Sequence, residues 1–159
     1  MAVTAASMLI GSVPSAGAEP PGSQCGINLE APQIGLAARS LPPAISGVDA
    51  PWAQTAYAGN FDPCATLSAA LVTVEGATGS SPDHALLFHY GEYVGTATSV
   101  AYPFTSFDAT RSTDAMVVLD YKDGRNVCTA CDGPRVAVRY QWKDDDVEML
   151  DPAPPTPPG

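Results

Sequence analysis

The sequence predicts an α+β domain: an antiparallel β-meander of about five or six strands, with one amino-terminal helix packed on the sheet and disulfides as staples. Three observations lead there. From residue 67 onward, apolar β-rich segments follow one another with only short turn-rich connections between them. One segment of helical period precedes them. Cys25, Cys64, Cys128 and Cys131 form an even set in a small chain, the pattern of a disulfide framework.

The helix is expected over about residues 31–40. Pro32 suits its first turn, where no amide donor is needed. Ile34, Ala37, Ala38 and Leu41 recur at helical spacing, and Pro42-Pro43 stops the element. Gly35 weakens it. Residues 42–63 form a long connection that carries Trp52, Tyr57 and Phe61, so its aromatics are expected to pack it down.

The strands follow in order. Residues 67–75 are apolar and β-branched without alternation, as a central strand buried on both faces requires. Segments 85–90 and 93–101 flank Gly91-Glu92, read as a tight hairpin. Residues 102–114 read as an irregular excursion with Pro103, Phe104 and Phe107. A strand over 116–121 ends at the turn dipeptide Asp123-Gly124. Over 135–142, Val136, Val138, Tyr140 and Trp142 alternate with Arg135, Arg139 and Gln141, the period of a half-buried strand. Asp144-Asp145 turns the chain, and 147–150 closes the sheet.

The ends carry the compartment. Residues 1–18 have no charge, and an apolar run leads to Ala16-Gly17-Ala18, which reads as a signal peptide cleaved before Glu19. Its usual basic start is missing. The run is shorter than the ~20 apolar residues that span a bilayer, so no transmembrane segment is expected. Residues 19–24 are a leader, 25–150 the single domain, and 151–159 a Pro-rich tail expected to stay unfolded. Gly22, Ser23 and Gln24 do not make Cys25 a lipid-attachment site. Four cysteines permit three connectivities; Cys25 with Cys64 and Cys128 with Cys131 is the expected one.

Acidic residues outnumber basic ones 17 to 7, for a formal charge of -10. Such a surface repels nucleic-acid backbones and anionic lipid alike. Chemistry-bearing motifs are weak. Cys128-Thr129-Ala130-Cys131 is followed by Asp132-Gly133-Pro134 and a strand, without the helix amino terminus that activates a thiolate. His84 and His89 would point to opposite faces of one strand, which argues against a zinc site with that CxxC. Asp144, Asp145, Asp146 and Glu148 lack the spacing of a calcium loop and read as a solvated turn. Ser80-Ser81 near Asp83 and His84 has no nucleophile elbow. No catalytic residue, cofactor or metal is assigned.

Several motifs occur together in order: Asn60-Phe61-Asp62-Pro63-Cys64, then residues 71–82 from Leu71 to Pro82, Gly95-Thr96-Ala97-Thr98, Cys128-Thr129-Ala130-Cys131-Asp132 and Val147-Glu148-Met149-Leu150-Asp151. Over about residues 25–150 the chain resembles the actinobacterial LppP/LprE lipoprotein family. The resemblance implies an exported cell-envelope protein of uncharacterised biochemistry, and no catalytic residues. The chain departs from the family in having no recognisable lipobox. The favoured expectation is a non-catalytic binding domain for an envelope protein, glycan or lipid, with Trp52, Tyr57 and Phe104 as contacts. A small secreted hydrolase or thiol-active enzyme is the alternative.

Overall fold

The expected helix forms at Pro32–Ser40 (α1) in a computed structural model that describes residues 24–152 and 154. It ends where Leu41 turns extended (φ -70°, ψ 147°), as a residue before proline must. No side chain caps its amino end, so its stability comes from the face it buries: Ile34, Ala37 and Ala38. Among the described residues no helix is long and apolar enough to cross a membrane. The expected signal peptide, most of the 19–24 leader and the far end of the Pro-rich tail lie outside the described residues.

The strands divide into two antiparallel sheets, where one continuous meander was expected. β1 (Ala58–Gly59), β2 (Ser68–Thr73), β3 (Pro82–His89), β4 (Glu92–Thr96) and β5 (Tyr102–Pro103) build the first. Its order is β1-β2-β3-β4, with β5 also on β3. β6 (Thr105–Phe107), β7 (Met116–Lys122), β8 (Arg135–Lys143) and β9 (Asp146–Met149) build the second, in sequence order. The chain crosses between sheets at Phe104, whose φ of 62° makes a sharp corner.

The pleat explains why two sheets are needed. β2 and β3 are apolar on both sides, so each face must be covered. Ala70, Val72, Leu86 and Phe88 face α1 and pack with Ile34, Trp52 and Phe61. Leu67, Ala69, Leu71, Ala85 and Leu87 face the second sheet and pack with Val117, Leu119, Tyr121, Val138 and Tyr140. The result is three layers: helix, sheet, sheet. The outer face of the second sheet is ion-paired, with Arg111 between Asp108 and Asp120 and Arg139 on Asp151.

Three boundaries move. The β3–β4 turn is Tyr90-Gly91, one residue earlier than expected; both have positive φ (46° and 78°), the geometry of a type I′ hairpin. The strand expected over 93–101 stops at Thr96, because the Thr96 and Thr98 hydroxyls donate to the carbonyls of Thr98 and Val100 and curl the chain. Order continues past residue 150: Asp151 accepts two guanidinium bonds and a backbone bond from Arg139, and Tyr102 donates to the Pro154 carbonyl.

Cys25 pairs with Cys64, tying the segment before α1 to the turn that enters β2. Cys128 pairs with Cys131 in the exposed β7–β8 loop.

Candidate functional site

Two edges of the sandwich approach each other where β1 meets the segment after β6, and a cleft of about 310 Å³ opens between them. One wall is the stretch from Gly59 to Ala65, with Ile27 in front. The other runs from Phe107 to Asp114. The volume is at the small end of ligand sites and equals roughly ten waters of liquid.

Each wall is held by backbone bonds. Gly59 is obligatory: at φ 134° a Cβ would lie 2.2 Å from the Ala69 carbonyl oxygen on β2. Asn60 follows as a clamp. Its Oδ1 accepts the Ala69 amide (2.9 Å) and its Nδ2 donates across the cleft to the Thr113 carbonyl (3.2 Å). Asp62 accepts the Cys64 amide (2.8 Å) and so shapes the turn that presents the Cys25–Cys64 bridge. Phe61, between them, points inward and meets Phe88 edge-on at 4.7 Å.

The opposite wall is a loop folded on its own hydroxyls. The Val118 amide donates to Ser112 Oγ (2.9 Å), and the Ala115 and Met116 amides donate to Thr113 Oγ1. The Leu67 amide donates to the Asp114 carbonyl (3.0 Å), which ties this loop back to the first sheet. Ile27, Ala65, Phe107 and Ala109 give the cleft its apolar lining, and Asn60, Asp62, Ser112, Thr113 and Asp114 its polar one.

The aromatics expected to contact a ligand are dispersed. Trp52 is only 7% exposed; its indole donates to the Pro42 carbonyl (2.8 Å) and tilts against His84 at 5.1 Å. It forms part of the wall of a second cleft, about 300 Å³, between the end of α1 and residues 43–54. There Arg39 is already bonded to Gln54. Phe104 sits at the inter-sheet corner, with the Lys122 ammonium 4.7 Å above its ring and Gly124 packed so close that no Cβ would fit. Tyr57 is 50% exposed, yet its hydroxyl reaches inward and donates to the Thr105 carbonyl (3.2 Å). The structure brings none of the three together.

Burial, and then the Asp83 carboxylate, push the Tyr57 phenol up. Asp83 is itself pushed up to about 6 by burial, against the neighbouring polar groups of Thr73, the Thr105 backbone and Tyr57, which favour its charged form. This group plugs the end of the inter-sheet core. The histidines stand on opposite faces of β3. His84 is buried beside Trp52, and burial lowers its basicity. His89 stacks on Trp142 at 3.8 Å, its Nδ1 2.5 Å from the Thr66 carbonyl; since a carbonyl only accepts, that nitrogen carries the proton. Neither histidine lines the β1–β6 cleft.

Comparison with known proteins places this sequence in a family. The family model described as LppP/LprE lipoprotein matches residues 59–145. A Mycobacterium leprae protein named LprE and described as a lipoprotein is 30% identical over 131 residues, 82% of this chain and 61% of its own length. Proteins of the same name from Mycobacterium bovis and Mycobacterium tuberculosis are 30% identical over 126 residues, 79% of this chain and 58% of theirs. The chain thus spans about three-fifths of the length of these relatives. No solved structure matches it. Both walls of the β1–β6 cleft except Ile27 fall within the matched segment, whereas the Trp52 cleft falls outside it.

Proposed function

The chain belongs to the LppP/LprE lipoprotein family, and from that premise we propose that it is an exported, envelope-associated binding domain whose β1–β6 cleft holds a small ligand without transforming it. The observation that carries this reading is how most of the cleft's polar groups are already engaged. The Ser112 and Thr113 oxygens accept backbone amides, Asp62 accepts the Cys64 amide, and Asn60 bridges the walls. A hydrolytic nucleophile needs a base within hydrogen-bond reach, and among the described residues no hydrogen bond joins the Ser112 or Thr113 hydroxyl to the Asp62 or Asp114 carboxylate. Asn60, Ser112, Thr113 and one oxygen of Asp62 fix shape, and the apolar surface supplies contact area. That is the division of labour of a binding site.

Ala109 lines the cleft and is exposed, so Ala109→Trp fills the space without disturbing the core. Amide shifts are followed by NMR while a fragment set of neutral, cationic and anionic members is added. Binding members are expected to move Gly59, Asn60, Ser112 and Thr113 in the native chain and to lose that effect in the tryptophan variant. Shifts confined to other surfaces, or turnover of any member, would overturn the reading. Export is checked separately by fractionating cells that express the natural gene, with the protein expected outside the cytoplasm.

A further inference from the structure

The charge of the cleft narrows its ligand. All seven basic side chains of the chain have been placed, and none lines it. Arg111, Arg125, Arg139 and Lys143 form ion pairs with Asp108 and Asp120, Asp123, Asp151 and Glu148. Arg39 bonds Gln54, Lys122 donates to the Thr129 carbonyl, and Arg135 reaches Ser106. Asp62 and Asp114 therefore line the cleft with no Lys or Arg of the described residues within ion-pair distance. The Cys64 amide occupies only Oδ1 of Asp62.

Resting on the cleft reading above, we infer that the ligand is a small organic cation, an ammonium group carried on a short apolar body. The two carboxylates receive the charge, and Ile27, Ala65, Phe107 and Ala109 receive the body. The overall charge of -10 acts in the same sense and focuses cations toward an acidic cleft. Carboxylate and phosphate ligands are repelled by both carboxylates and meet no Lys or Arg there. Asp114 is exposed, so the attraction is screened by salt.

Hexylammonium, hexanol and hexanoate share one apolar body and differ in charge. Each is titrated into the full chain at low and high salt, with the amides of Gly59, Asn60 and Thr113 as reporters. Hexylammonium is expected to bind about tenfold more tightly than hexanoate. It should lose most of that margin at high salt and in the double variant Asp62→Asn, Asp114→Asn. Asparagine keeps the acceptor that holds the Cys64 amide, so the turn survives the change. Hexanol binding as tightly as hexylammonium, or no response to the double variant, overturns the cation inference and leaves the cleft intact as a site. If none of the three moves the reporter amides, the cleft reading fails with it.

Discussion

The layer between α1 and the first sheet and the layer between the two sheets bury comparable sets of residues by different means. The inter-sheet layer is regular. Leu, Val and Ala from β2, β3, β7 and β8 interleave, and its two tyrosines satisfy each other, with the Tyr121 and Tyr140 hydroxyls 3.0 Å apart. The helix layer rests on one short, uncapped helix and on Trp52, Phe61 and Phe88, two of which come from irregular chain. Its outer wall is a loop in place of a strand. Stability is therefore spread over many modest contacts in one layer and concentrated in a few large side chains and a long-range disulfide in the other.

The largest expected effect tests that concentration. Phe61→Ala removes a fully buried ring from against Phe88 and should cost about 3–5 kcal/mol, whereas Leu119→Ala in the inter-sheet layer should sit near the low end of the 2–5 kcal/mol seen for such truncations. Urea unfolding of the two variants decides it. A Leu119→Ala cost above that of Phe61→Ala would break the contrast. The disulfides sharpen it next. Cys25–Cys64 closes a loop of sequence separation 39 in the helix layer, and Cys128–Cys131 one of separation 3 in an exposed turn. Chain entropy assigns about 4 kcal/mol to the first and about 2 to the second. Paired serine variants should lower the melting temperature in that order.

The same contrast explains what could be read from sequence. The inter-sheet strands announce themselves by period: the unbroken apolar run that became β2, and the Val136, Val138, Tyr140 alternation of β8. The division into two sheets did not, because the elements that create it are too short to have a period. β1 and β5 have 2 residues each and β6 has 3, all formed by pairing with distant chain. The cleft was less legible still. Asn60 and Asp62 stood out only within a family motif, and their partners at 107–114 lay in a stretch read as irregular. Asn60 reaches Thr113 across 53 positions, a juxtaposition that no local pattern encodes. Tyr57 was singled out for its ring, yet its structural role is carried by the hydroxyl at the end of the inter-sheet core.

That end of the core supplies the smallest predicted effect and the one with a defined sign. Asp83 titrates near 3.8 when unfolded and is pushed up to about 6 in the fold, chiefly by burial. Between those values the folded chain binds more protons than the unfolded one, so stability falls as pH rises through this window. The ionisation penalty is absent below the lower value and fully present above the upper one. Because Asp83 is only partly buried, solvent discounts the effect to about 1–2 kcal/mol. Asp108, held down by the Thr110 hydroxyl and then Arg111, and Asp123 and Asp151, held down by Arg125 and Arg139, act oppositely on the outer surface, and their contribution is lost only as pH falls below about 4. Asp83→Asn removes the buried charge and keeps the shape. Unfolding followed from pH 4 to pH 8 should show the variant gaining about 1 kcal/mol at the neutral end and losing the downward slope between pH 4 and 6. A variant no more stable than the native chain at neutral pH would show that the polar groups around Asp83 offset its burial fully, and that the regular layer carries no buried charge penalty at its end.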